Sequence, residues 1–369
     1  MTQRERLLAP FRGVRPDRPA WAADLSYWYT AMEQMGRLEA RYAGEEGYQR
    51  LHEDLGVCVY YGRGGATYRG RCDGVETGVH QEGRVRTRWW RTPAGEISDR
   101  WDYLEQAHCW AHTQYAVKTL ADLRVVQDIF ARTRYEPAPE SFLRASAAIG
   151  DAGLPICAVP RSPLPALMTD WCGVVTTSYL LADEPAAVED TLATIDQAVD
   201  AAFAAICEGP AELLHCCDNL DSNTYTSLFD RYMREYYARR LAQLHAAGKC
   251  VVTHLDGFVR GLLPRLCAVG FDGIESITPA PVGDVEIEEL RALCGTDRTI
   301  IWGGIPGAMF APPWTAAAMR EHTIRLLDAL APGGRLVVGS ADQVPPDGDI
   351  ELCRLIAQTI DEHSRGARS

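Results

Sequence analysis

The chain has 369 residues, 47% of them hydrophobic and 24% charged, and a formal net charge of −13. That composition is the one of an ordinary globular protein, for which disorder is not the default, and gives enough apolar mass for one large core or two modest ones. The acidic balance argues against nucleic-acid binding and against adhesion to anionic membranes, so small molecules or another protein are the expected partners.

The opening stretch, MTQRERLLAPFRGVRPDRP, is too charged for the apolar core of a signal peptide. No later segment supplies the ~18 uninterrupted apolar residues of a membrane span. The expected location is the cytoplasm, where the twelve cysteines stay reduced. Cys58, Cys157, Cys207 and Cys250 lie inside apolar runs and read as core thiols. With no CxxC pair, a zinc ribbon or a thioredoxin-like redox motif is excluded on spacing.

In chain order, RPAWAADL (Arg18 to Leu25) and GVCVYYG (Gly56 to Gly62) are the first strand candidates. GRGGATYRGR (Gly62 to Arg71) is glycine-rich but lacks both phosphate-loop and GxGxxG spacing, and reads as a flexible active-site loop. Polar and apolar residues then alternate around Gly83 and around TPAG between Gly74 and Lys118, which predicts antiparallel hairpins inserted around residues 63–118. Trp89, Trp90, Trp101 and Trp110 fall here and either pack a core, the favoured reading, or line a pocket. HCWAH (His108 to His112) has a spacing that would suit a metal on a helix, but its setting is that of a strand.

From residue 150 short apolar runs alternate with helical patterns: PICAV, AELLHCC, KCVVTH, FDGIES, TIIWGG and RLVVGS, the last ending at Ser340. Ser227 to Ala246 carries Leu228, Tyr232, Tyr236 and Leu241 at helical spacing, with Gly248 as its C-terminal stop. These six runs and the first two make eight strands, the number of a (β/α)8 barrel. The expected architecture is therefore a single-domain α/β TIM barrel over residues 1–369 with N-terminal helices and an antiparallel insertion. No internal repeat, linker or low-complexity tract divides it.

In such a barrel the C-terminal strand ends share one mouth. There the chain places His215, Cys216, Asp218 and Asn219; His254 and Asp256 in KCVVTHLDG; Glu275; and Ser340 and Asp342. Converging imidazole and carboxylate groups hold a divalent cation or transfer protons. The His-x-Asp spacing is not specific alone, because residues two apart on any strand point the same way. No GxSxG elbow is present, which disfavours an α/β-hydrolase.

The ordered series RERLLAPFRGVRPDRPAW, AVKTLADLRVVQDIFARTRYEP, CDNLDSNTYTSLFDRYMREYYARRLAQLHAAGKCVVTHLDG, GFDGIESITPAPVGDVEIEELRALCG, IIWGGIPG and VVGSADQVPP resembles the uroporphyrinogen decarboxylase superfamily along essentially the whole chain. The resemblance implies a (β/α)8 barrel with its site at the C-terminal mouth. It also implies either metal-free decarboxylation of porphyrinogen acetates or zinc-dependent methyl transfer from a methylated corrinoid to a thiol. The arginine-rich RQAGR motif of true uroporphyrinogen decarboxylases is replaced by AADLSYWYTAM (Ala22 to Met32), so porphyrinogen decarboxylation is disfavoured.

The methylcobamide:coenzyme M methyltransferase-like branch is closer. His254 matches its histidine, while Asp256 and Asp342 stand where its two cysteines would be. That substitution keeps three ligands but hardens the site, favouring oxygen-loving cations or weaker zinc binding and putting activation of coenzyme M in doubt.

The resulting expectation is a metal-dependent methyltransferase or demethylase-like enzyme acting on a small molecule. His254, Asp256 and Asp342 would bind the metal. Glu275 would add a ligand or a base, and Asp218 would join the catalytic group. Tyr61, Arg161, Cys216 and Asn219 would contact substrate. A corrinoid or folate would carry the methyl group, with a corrinoid protein and a second copy of the chain as partners. The rival readings are a metal-free carboxy-lyase on a non-porphyrin substrate, with Asp218 or Asp256 handling protons and His254 as general acid, and a barrel that binds a ligand without turnover.

Overall fold

The computed structural model describes residues 1–366. The barrel wall begins with β1 (Ala20–Trp21). Five strands of the inserted region follow, β2 (Tyr68–Cys72), β3 (Glu76–Glu82), β4 (Val85–Thr92), β5 (Gly95–Leu104) and β6 (Cys109–Gln114), and then β7 (Thr133–Pro137) beyond it. The wall resumes with β8 (Leu213–Leu220), β9 (Cys250–Leu255), β10 (Gly273–Ile277), β11 (Ile300–Pro306) and β12 (Leu336–Ala341).

The wall strands form one parallel sheet in the order β1-β12-β11-β10-β9-β8. Two irregular segments link its edges. Cys58 N donates to Trp21 O at 2.7 Å, Val59 bridges Gly153, and Ala158 bridges His215. Six of the eight expected staves are ladder strands and the other two are irregular segments bridged to their neighbours, so the chain has the α/β arrangement of a (β/α)8 barrel without a continuous ladder around its wall. The second and third staves lack regular ladders for a local reason. Gly56 and Gly62 bound the second with φ of 73° each, and Pro155 and Pro160 remove two N–H donors from the third.

β10, β11 and β12 are buried at every position, as parallel strands covered on both faces should be. Trp21, Tyr60 and Trp302 are among the largest side chains fully enclosed there. The expected helix over Ser227 to Ala246 divides into Phe229–Tyr232 and Arg234–Ala246 at Met233, whose φ of −126° interrupts it. Gly248, at φ 73°, turns the chain into β9.

In the insertion, β3, β4, β5 and β6 make an antiparallel meander that turns at Gly83 and before Gly95. One expectation changes. The end of Gly62 to Arg71 is strand rather than loop, because Tyr68–Cys72 pairs in antiparallel fashion with β7. His112 does lie on a strand, stacked on Trp101 with centroids 4.3 Å apart. Among the described residues no helix is long and apolar enough to cross a membrane.

Candidate active site

β9 and β10 run side by side with His254 opposite Glu275. His254 Nδ1 lies 2.7 Å from Glu275 Oε2. The other carboxylate oxygen accepts a short hydrogen bond from the Tyr61 hydroxyl. His215, from β8, places Nε2 3.3 Å from Glu275 Oε2, close enough for charge attraction but without the alignment of a full hydrogen bond. Tyr60 stacks beside His215, with its hydroxyl 3.4 Å from Nδ1. One fully buried carboxylate is thus faced by two imidazoles and a phenol.

Burial opposes charge on Glu275, but His254 and His215 outweigh it and hold the carboxyl below its usual range. Burial likewise opposes a charged His254, yet Glu275, with Asp256 and Asp342 behind it, pushes the imidazole up to about 9. The pair is an ion pair at neutral pH. Tyr61 is driven well above its ordinary range by burial and then by the Glu275 charge, so it is a hydrogen-bond donor and not a phenolate.

On its far side His254 presents Nε2, 4.0 Å from Asp256 Oδ2. His254, Asp256 and Asp342 each offer a donor atom within 4.8 Å of the others, and His215, His254 and Glu275 form a second such group. Burial raises the Asp256 carboxyl, with His254 opposing. Asp342 is raised to about 6, by burial first, against the pull of His254 and with the push of Asp256 and Asp24. With His254 Nε2 beside them, these two carboxylates are placed where they could hold a cation.

The backbone at the rim is strained. Asn219, Ser276 and Asp342, at the ends of β8, β10 and β12, take φ of 51°, 68° and 64°. Left-handed non-glycine residues cost of the order of 1 kcal/mol each and gather where a site needs its side chains aimed. The Ser276 hydroxyl accepts from Asp342 N and so ties two of these turns together.

His254, Asp256, Asp342, Glu275 and Tyr61 therefore meet at one place. Asp218 and Cys216 do not. The Asp218 carboxylate is fully buried and takes hydrogen bonds from Ser162 N at 2.9 Å, the Ser162 hydroxyl, Tyr237 Oη at 2.7 Å and the Cys216 thiol at 3.1 Å. Burial, reinforced by Asp218, holds that thiol protonated. Strand alternation explains the separation: Cys216 and Asp218 face the helix Arg234–Ala246, while His215 turns to Glu275.

Arg161 sits at the rim with Nη1 on Cys217 O at 2.5 Å and Nε 3.2 Å from Asp170. Asn219 is exposed at the end of β8. The sequence placed His215 at the mouth without giving it a role of its own and did not single out Tyr60, although counting by twos along β8 assigns His215 to the interior.

The barrel and its carboxylate-lined mouth define an enzyme-type α/β scaffold, and the comparisons with known proteins make it specific. Residues 113–363 match the uroporphyrinogen decarboxylase (URO-D) family, and the chain belongs to that family. Among solved structures it is similar to a methyltransferase from Methanosarcina mazei, with a TM-score of 0.63, 13% identity, and coverage of 98% of this chain and 99% of that one. A B12-independent methionine synthase from Shewanella sp. W3-18-1, in complex with selenomethionine, also matches, with a TM-score of 0.45, 10% identity and coverage of 96% and 95%. No curated protein sequence matches the chain.

Proposed function

We propose that this protein is a metal-dependent methyltransferase or demethylase-like enzyme acting on a small molecule, with a corrinoid or folate as methyl carrier. Its cation, zinc or a harder ion, would be held by His254, Asp256 and Asp342. The observation that carries the reading is the direction of His254: Glu275 occupies Nδ1, and Nε2 faces two carboxylates. A carboxylate behind a histidine fixes its tautomer and raises its basicity as a ligand. One imidazole and two carboxylates fit zinc and suit harder cations as well.

A bound cation would supply Lewis acidity and lower the pKa of a thiol, hydroxyl or water. The chain's own groups do the rest. Glu275 holds the His254 ring in place, and Tyr61 fixes Glu275. Asp342 accepts a proton near neutrality, and Asn219 and Arg161 border the entry. The fold of the Methanosarcina mazei methyltransferase supports methyl transfer as the chemistry. A corrinoid protein would be the partner if the carrier is a corrinoid.

The protonated state of His254 favours a second reading. An imidazolium with its pKa near 9 is a general acid beside two carboxylates, the equipment of a metal-free decarboxylase. Metal content of protein purified without added metal, alongside His254→Ala, separates the two. Stoichiometric zinc, manganese or iron that disappears in the variant supports the first. Metal-free protein that decarboxylates its substrate, with two titrating groups and no response to chelators, would displace it.

A further inference from the structure

A cavity of about 550 Å³ lies between the inserted meander and the barrel. That volume is in the range that holds a small organic ligand. Its lining is unusual for a surface pocket. Trp90 and Trp101 come from the meander and Trp171 from the segment after the third stave, all three only half-buried. Trp90 and Trp171 are 5.0 Å apart between centroids and inclined at 59°, a direct tilted contact that makes one continuous wall of the hollow with no gap between the two rings. Tryptophans left partly exposed around a hollow supply flat apolar walls without filling it.

Two guanidiniums reach this hollow. Arg88 lies over Trp90 and Trp101, at 5.2 Å and 5.0 Å from the rings, and engages Asp99 through Nε and Nη2. Asp99 is sealed beneath it at 1% exposure. Arg161 engages Asp170 through Nε and Cys217 O through Nη1. Nη1 of Arg88 and Nη2 of Arg161 therefore have no hydrogen-bond partner among the described residues. Asp170, the carboxylate in this lining, is paired with Arg161 at 3.2 Å; burial raises its carboxyl and Arg161 opposes the rise.

The geometry points to a binding site for a planar aromatic carboxylate, its ring against the Trp90–Trp171 wall and its carboxylate on the free nitrogens of Arg88 and Arg161. Guanidinium and carboxylate match as planar partners, and an aromatic ring can lie against the wall that Trp90 and Trp171 form together. One backbone contact ties the pocket to the barrel wall: the Cys217 carbonyl on β8, two residues from His215, accepts from Arg161 Nη1. The identification of this ligand as the substrate rests on the proposed function; the binding site itself does not.

Calorimetric titration with benzoate, benzamide and cyclohexanecarboxylate tests it. Wild-type protein should bind benzoate saturably and should bind each of the other two at least about tenfold more weakly, because one lacks the charge and the other the flat ring. Arg161→Gln and Trp171→Leu should each weaken benzoate by a similar factor, and a chelator should leave its affinity unchanged. Equal affinity for the three compounds, or no saturable binding of benzoate at millimolar concentration, would overturn the proposal even if the protein folds and binds metal. Loss of metal with benzoate binding intact would instead count against the proposed function alone.

Discussion

His254 and Glu275 are cross-strand neighbours in register on β9 and β10, joined by a 2.7 Å contact between Nδ1 and Oε2. One side of the imidazole is thereby closed by a buried carboxylate and the other is left facing Asp256 and Asp342. Whatever enters the mouth meets a histidine whose orientation and charge are set from below.

In metal-free protein the pair makes stability depend on pH. The folded pKa of His254, about 9, lies above its ordinary 6.5, so its contribution is complete below about pH 6.5 and disappears as pH rises through about 9. Glu275 is depressed, so its contribution is present above its ordinary 4.5 and is lost only as pH falls through a lower folded value. Chelator-treated wild type should lose a few kcal/mol between about pH 7 and pH 10, and His254→Gln should lose much less over the same interval. Parallel urea-unfolding curves for the two proteins across that range would refute the coupling.

Metal uptake should show the same proton in competition. A cation binding His254 Nε2 displaces a proton held with a pKa of about 9, so affinity should rise about tenfold per pH unit until that value is reached. Glu275→Gln removes the group that both orients the ring and raises its pKa. Zinc affinity at alkaline pH should fall roughly 10- to 100-fold, and the dependence on pH should flatten. Competition titration against a chromophoric chelator at several pH values reads both effects. An unchanged slope would mean that His254 is not the ligand.

Asp218 and Asp256 should part company on mutation. Asp218 accepts from two hydroxyls, a backbone N–H and a thiol in a fully buried setting, so Asp218→Asn turns part of an acceptor into a donor facing donors. It should cost about 3 kcal/mol in urea unfolding and leave metal stoichiometry intact. Asp256, with 38% of its side chain exposed, should tolerate Asn within about 0.5 kcal/mol while metal binding is lost. The opposite pattern would place Asp218 in the site.

These contrasts mark what could be read from the residues alone. Apolar run length and punctuation located the six strands of the parallel sheet, because a parallel strand buried on both faces must be apolar throughout, while the runs at 56–62 and 155–159 became bridged irregular segments. The site was legible where each stave contributes one polar residue at its end, as β9 and β10 do with His254 and Glu275. β8 was ambiguous because His215, Cys216, Cys217 and Asp218 place polar groups on both faces, and only the pairing with β9 fixes which face is inside. Arg88 and the Trp90–Trp171 wall depend on how the insertion folds back on the barrel, a non-local fact with no periodicity to announce it.

Gly303 tests whether the backbone that aims Glu275 is as constrained as its contacts imply. It sits in β11 at φ 139°, and a Cβ there would lie 2.5 Å from Ile277 N and 2.7 Å from Ile277 O. Those are backbone atoms of β10, two residues from Glu275, where the register between the strands shifts. Gly303→Ala can be accommodated only by pushing β10 away and disturbing the left-handed turn at Ser276. It should cost about 2–4 kcal/mol in urea unfolding and weaken zinc binding as well, because the carboxylate behind His254 moves with the strand. Gly333→Ala, where a Cβ meets nothing within 4 Å, should leave both properties within about 0.5 kcal/mol of wild type. If Gly303→Ala behaves like the Gly333 control, β10 is free to yield and the fixed orientation of Glu275 is lost as an explanation.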